Sequence, residues 1–100
     1  MLPKIRLAIL DDHQGIVDGY RGRLSKTPQI EIVGVASSGV ELEDLLQQTA
    51  VDVLFLDVNA PTAADNPSPY PILHVFPSIK QKYPDVSILV ISMITERALI

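Results

Sequence analysis

The chain has 100 residues, 47% of them apolar, a formal net charge of −4 and no cysteine. That is one domain at most, with enough apolar material for a packed core and no disulfide framework or thiol chemistry. The acidic balance argues against a nucleic-acid surface on this segment, since such a surface needs a basic face. No apolar stretch approaches the ~20 residues of a membrane span, and no signal-peptide pattern opens the chain. The expectation is a cytoplasmic domain without membrane contact.

Ile5–Leu10 is a short apolar run ended by Asp11 and Asp12, and it predicts a buried strand. Ile16, Tyr20 and Leu24 recur every four residues with Val17 beside them, a helical stripe that Thr27-Pro28 punctuates. Residues 30–35 predict a second strand. Ser38 and Glu41 fit a capping box, in which each side chain satisfies the other residue's N–H. Leu42, Leu45, Leu46 and Thr49 continue that helix. Residues 53–58 predict a third strand, apolar except for Asp57, and residues 86–91 a fourth.

Residues 60–71 hold Pro61, Pro67, Pro69 and Pro71 with Asn66 and Ser68. They predict a loop, long for an α/β unit, where ~2–6 residues is common. Ile72, Val75, Phe76 and Ile79 keep helical spacing. Pro77 lacks an N–H and crowds the preceding turn. The helix is therefore either kinked or begins at Pro77 as its first residue. The shorter version is preferred here, with residues 72–76 as an apolar lead-in.

Strands apolar on both faces belong to parallel sheets covered by helices on each side, and their alternation with helices gives right-handed βαβ units. The predicted fold is α/β and doubly wound. Ligands of such sheets bind beyond the carboxyl ends of the strands, where strand order reverses. Asp11, Asp12 and Asp57 would converge there. Three carboxylates in one pocket repel unless a cation is present. All-oxygen donors in a partly open site suit Mg2+. A metal-assisted phosphoryl site follows from these residues.

Each residue also has a plainer reading. Asp-Asp after a strand is often a turn or cap, and Ser92 alone is a cap or turn residue. His13 falls in the first turn of helix one and does no chemistry; His74 is packing or surface. Arg21, Arg23 and Lys26 form a solvated helix face. Asp57 is the most telling, because a lone carboxylate inside an apolar strand is expensive to bury.

In combination, residues 5–57 resemble the receiver domains of bacterial response regulators, of the branch that carries a LuxR-type helix-turn-helix output. The resemblance runs through Asp11-Asp12-His13, Gly19 with Arg21 and Leu24, Pro28, Ile32-Val33-Gly34-Val35-Ala36, Gly39 with Glu41, and Val53-Leu54-Phe55-Leu56-Asp57. It resumes at Pro61 and at Tyr83-Pro84-Asp85 through Ser92. It implies a flavodoxin-like fold with strand order 2-1-3-4, the fifth strand and fifth helix missing, so that residues 1–100 form a receiver domain incomplete at its C-terminus. It implies Asp57 as phosphoacceptor and Ser92 as the switch hydroxyl that meets the phosphoryl group. Mg2+ would be held directly by Asp12 and Asp57, by the backbone carbonyl of Asn59, and by Asp11 through a water. The implied partner is a sensor histidine kinase, whose phosphohistidine supplies the phosphoryl group. Such a domain assists its own phosphorylation and dephosphorylation without being a conventional turnover enzyme. DNA would be met only through an output domain outside this chain.

The chain departs from that pattern in its proline-rich segment after Asn59, in Pro77, and in stopping at Ile100. The family's phosphate-contacting lysine and switch aromatic would follow. Thr95 can cap a helix that residues 96–100 begin. Strand four, apolar on both faces, would form an exposed edge and invite self-association. Two rival readings remain. One is a pseudo-receiver acting as a phosphorylation-independent interaction module. The other is a phosphohydrolase of the haloacid dehalogenase type, which wants an aspartate where Asn59 stands.

Overall fold

The computed structural model describes residues 3–91. Its main sheet holds four parallel strands: β1 (Ile5–Leu10), β2 (Ile30–Ala36), β3 (Val53–Asp57) and β6 (Ser87–Ile91), in the order β2-β1-β3-β6. With β6 as the fourth strand of the sheet, this is the predicted 2-1-3-4 order. Helices α1 (Gln14–Leu24), α2 (Gly39–Gln48) and α3 (Ile72–Lys82) make the crossovers.

The sheet is covered on both faces because its central strands are apolar at consecutive positions, Leu7 to Leu10 and Val53 to Leu56. Leu7, Ala8, Ile9 and Leu10 are all at most 2% exposed. Alternate residues point to opposite faces. Ala8, Leu10, Leu54 and Leu56 pack with Leu42 and Leu46 of α2 and Ile72 and Ile79 of α3. On the opposite face, the Tyr20 ring of α1 meets Phe55 edge-on, with centroids 5.3 Å apart. Asp57 shares the parity of Phe55 and so stands on the α1 side of the sheet. At the amino ends of the strands, Arg6 grips Asp52: its Nε and Nη2 donate to the two carboxylate oxygens at 3.0 and 2.9 Å.

Ser38 caps α2 by accepting the N–H of Glu41 at 3.3 Å. The reciprocal half of the expected capping box is absent. The Glu41 carboxylate takes the Ser37 hydroxyl at 2.7 Å instead. The other carboxylate oxygen accepts the Ser37 N–H at 3.4 Å, so the glutamate holds the residue before the cap by both its donors.

Both expectations that turned on proline are corrected. Residues 60–71 contain an antiparallel ribbon of β4 (Pro61–Ala63) and β5 (Asn66–Pro69), with Pro61 opposite Pro69 and Ala63 opposite Asn66. Both strands of a two-stranded ribbon are edges, so a proline whose missing N–H faces outward costs no ladder bond. The ribbon delivers Tyr70 into the core at 5% exposure, tied by its N–H to the Ala60 carbonyl at 2.8 Å.

The second correction is α3, which runs through Pro77 as one helix from Ile72 to Lys82. The full-length helix keeps Ile72 and Val75 in register with Ile79, so that all three pack on the core. Fully burying such a side chain is worth ~1.5–3 kcal/mol. The burial of Ile72, with the partial burial of Val75, offsets the ~3 kcal/mol that an internal proline costs.

β6 also differs from the predicted double-sided burial. It ends the described sheet, and Leu89 and Val90 are 53% and 42% exposed. Thr95 and residues 96–100 lie outside the described residues. Among the described residues, no helix is long and apolar enough to cross a membrane.

Candidate functional site

Strand register alone brings the acidic residues together. Leu10 of β1 lies opposite Leu56 of β3, so the next residues, Asp11 and Asp57, stand side by side at the strand ends. Adjacent strands stand ~4.8 Å apart, which puts the two carboxylates within reach of one ion. The Asp11 N–H is held by the Ala36 carbonyl of β2 at 3.0 Å. The turn into α1 then presents Asp12 and His13.

Asp11 and Asp57 are buried, at 7% and 4% exposure, whereas Asp12 and His13 face solvent. Asp11 Oδ1 accepts the His13 N–H at 2.8 Å and stands the same distance from the ring Nδ1. That Nδ1 is also 3.2 Å from Asp12 Oδ1 and 3.6 Å from Asp57 Oδ2. Asp57 Oδ1 accepts the Asn59 N–H at 3.1 Å. Asp57 Oδ2 is buried and has no hydrogen-bond partner.

The electrostatics follow from this crowding. Burial pushes the Asp57 carboxyl above its usual range; the Asn59 N–H opposes the rise and the Asp11 charge adds to it. The hydrogen bond to Asp11, then the charge of Asp12, raises His13 above the ordinary imidazole value. Tyr20, half-buried on α1, is raised by burial and by the fields of Asp11 and Asp57.

The structure therefore brings Asp11, Asp12 and Asp57 together as the strand-end argument expects. Asn59 sits beside them, its backbone N–H bound to Asp57. Ser92 lies outside the described residues. His13 is the residue the sequence reading leaves without chemistry, yet its ring nitrogen belongs to the cluster. Its ligand atom and those of the three aspartates all lie within 4.8 Å of one another. The available signal is its position directly after two aspartates at a strand-to-helix junction, where the chain turns back on the strand end.

The donor set fits a divalent cation. Three carboxylates meet, two of them buried, and Asp57 keeps one oxygen with no protein donor. A buried acceptor in that state is costly unless something positive satisfies it.

No protein-family model matches the chain. Curated relatives do. A transcriptional regulatory protein DegU of Brevibacillus brevis is 30% identical over 90 residues, covering 90% of this chain and 35% of the relative. An oxygen regulatory protein NreC of Staphylococcus epidermidis is 28% identical over 89 residues, covering 89% and 38%. The chain thus spans little more than a third of the length of these relatives. Among solved structures, the non-phosphorylated receiver domain of the stress response regulator RcsB from Escherichia coli superimposes with a TM-score of 0.76. It is 26% identical and covers 96% of this chain and 70% of that one. Sequence and fold agree: the chain is a homologue of the receiver domains of response regulators, of the branch that includes DegU and NreC.

Proposed function

We propose that residues 1–100 act as the phosphoacceptor receiver domain of a cytoplasmic two-component response regulator, with Asp57 as the acceptor. The observation that carries this reading is the Asp57 side chain itself. It stands at the carboxyl end of a central strand, 4% exposed, with one oxygen fixed by the Asn59 N–H and the other unpartnered among carboxylates.

The chemistry is a phosphoryl transfer. An Asp57 oxygen forms a bond to phosphorus as the phosphorus–nitrogen bond of a sensor kinase's phosphohistidine breaks. The electron pair returns to the imidazole, which then takes a proton. The Asn59 N–H fixes the carboxylate's orientation before transfer, so little reorganisation is needed. Asp11, Asp12 and Asp57, with the Asn59 backbone carbonyl, are the residues that would hold Mg2+. When bound, that ion supplies neutralising charge to the phosphoryl oxygens. Ser92 is assigned the switch hydroxyl, and the output is transcriptional, through a DNA-binding domain elsewhere in the full protein.

The acidic trio favours this reading over a pseudo-receiver. Asn59 stands where a dehalogenase-type hydrolase would need its second aspartate. Self-association through the edge of β6 remains part of the proposal, supported by the exposed Leu89 and Val90. Sedimentation showing a monomer at high concentration would remove it.

The deciding experiment incubates the chain with Mg2+ and acetyl phosphate and measures intact mass beside an Asp57→Asn control. Gain of one phosphoryl group by the wild type alone is the expected result. Failure in both this chain and the full-length protein would favour the pseudo-receiver.

A further inference from the structure

The geometry points to a mixed nitrogen–oxygen metal site: His13 Nδ1 joins Asp11, Asp12 and Asp57 as a ligand, and the cluster takes Co2+ or Zn2+ more tightly than Mg2+. This rests on the reading that the cluster holds a divalent cation, and deepens it by naming a nitrogen ligand and the class of ion that ligand selects.

The local backbone aims the ring. His13 is the N-cap of α1 in an extended conformation, with φ −99° and ψ 102°. Its own N–H is locked onto Asp11 Oδ1 at 2.8 Å. The imidazole therefore folds back over the strand end. Its side chain is 52% exposed, so packing does not account for that position.

Distances give the second argument. Two adjacent ligands of one ion, each at ~2.1 Å, stand roughly 3.0 Å apart. His13 Nδ1 lies 2.8 Å from Asp11 Oδ1 and 3.2 Å from Asp12 Oδ1. Asp57 Oδ2, at 3.6 Å from the same nitrogen, needs only a small approach. That oxygen is the independent sign of a missing positive partner, being buried and without any hydrogen bond.

Ligand chemistry then sets the preference. Mg2+ favours oxygen and gives up water reluctantly. Imidazole suits the later first-row ions, whose affinity for a nitrogen-containing site rises along the series. A cluster of carboxylates alone discriminates weakly, and adding His13 shifts the balance towards the nitrogen-accepting ions. A plainer role, in which the ring merely hydrogen-bonds Asp11, predicts no such selectivity.

The test is calorimetric titration of the chain with Co2+, Zn2+, Mn2+ and Mg2+, in wild type, His13→Ala and Asp57→Ala, with circular dichroism confirming the fold of each. Loss of even an outer-shell partner costs a metal site ~10–100-fold. His13→Ala should accordingly weaken Co2+ and Zn2+ at least about tenfold while leaving Mg2+ unchanged. The Co2+ complex of the wild type should show paramagnetically shifted imidazole protons that vanish in the variant. Equal effects of His13→Ala on all ions, or none on any, would overturn the inference while leaving the Mg2+ site of the proposed function standing. Co2+ binding that survives Asp57→Ala would place the ion elsewhere and overturn it too. Absence of binding by every ion would sink both readings.

Discussion

The Tyr70 ring occupies the space that a side chain at position 39 would need. A Cβ built on Gly39 would collide with three ring carbons of Tyr70. Gly39 opens α2 and is itself buried, so neither partner can yield by moving into solvent. The aromatic ring delivered by the β4–β5 ribbon thus locks onto the first turn of the second helix. Burial and then the Glu43 charge push the Tyr70 phenol up to about 12, which keeps it neutral in this position.

Gly39→Ala should therefore destabilise the chain, although alanine is ordinarily the better helix residue by ~1 kcal/mol. Overpacking of a filled site typically costs ~1–3 kcal/mol. A lowered urea midpoint with unchanged slope is the expected outcome. The double variant Gly39→Ala with Tyr70→Ala should show less than the sum of the two single losses, because removing the ring removes the collision. Strict additivity would mean that the two residues are not coupled.

Pro77→Ala should stabilise. Pro77 is exposed at the sixth position of an eleven-residue helix, and alanine restores the missing N–H without disturbing the buried stripe. Proline costs ~3 kcal/mol relative to alanine inside a helix. Some of that is offset because alanine frees the unfolded chain, by ~0.4–1 kcal/mol. A net gain of about 2 kcal/mol in urea unfolding is expected. A loss would show that Pro77 itself is needed for Ile72 and Ile79 to reach the core together.

These two sites mark where the sequence was hard to read. The parallel core was legible because Leu7 to Leu10 and Val53 to Leu56 are apolar at consecutive positions, which only a sheet covered on both faces tolerates. Asp57 stood out against that background, and strand-end logic placed Asp11 beside it. The ribbon was not legible, because Pro61, Pro67 and Pro69 act as breakers in a central strand and are harmless on an edge. Pro77 misled for a related reason: local propensity opposed the helix, and the distant burial of Ile72 and Ile79 decided it. His13 was missed because spacing places a residue near a site without saying which way its ring turns.

The clamp between Arg6 and Asp52 predicts a pH dependence. The hydrogen bonds and charge of Arg6 hold the Asp52 carboxyl down to about 2, against an ordinary value of 3.8. A depressed carboxyl favours the folded state whenever it is ionised. That contribution is complete above the ordinary carboxylate range and disappears as pH falls through it towards about 2. The pair is solvent-exposed, so the effect is modest and weakens with salt. Thermal unfolding of wild type and Asp52→Asn should differ at pH 5 and above and converge in strong acid. A gap that persists at low pH would mean that the asparagine disturbs something other than the ion pair.

Asp57 carries the opposite sign. Burial raises its pKa, so the folded state binds the proton more tightly than the unfolded chain. Above the ordinary carboxylate range the ionised group therefore opposes folding, and the penalty grows until pH passes the raised value. Without divalent cations, Asp57→Asn should be the more stable protein at neutral pH. The expected gain is about 1–2 kcal/mol, the scale of relieving a buried acceptor that lacks a partner. Asparagine keeps an oxygen for the Asn59 N–H and offers its amide hydrogens to Asp11. The gain should shrink in acid, where the wild-type carboxyl is itself protonated. Adding Mg2+ should then raise the unfolding temperature of the wild type but not of the variant, since binding to the folded state alone shifts stability by mass action. If Asp57→Asn is instead destabilised at neutral pH in chelator, the unpartnered oxygen is satisfied by water, and the stored strain that a cation or phosphoryl group would relieve does not exist.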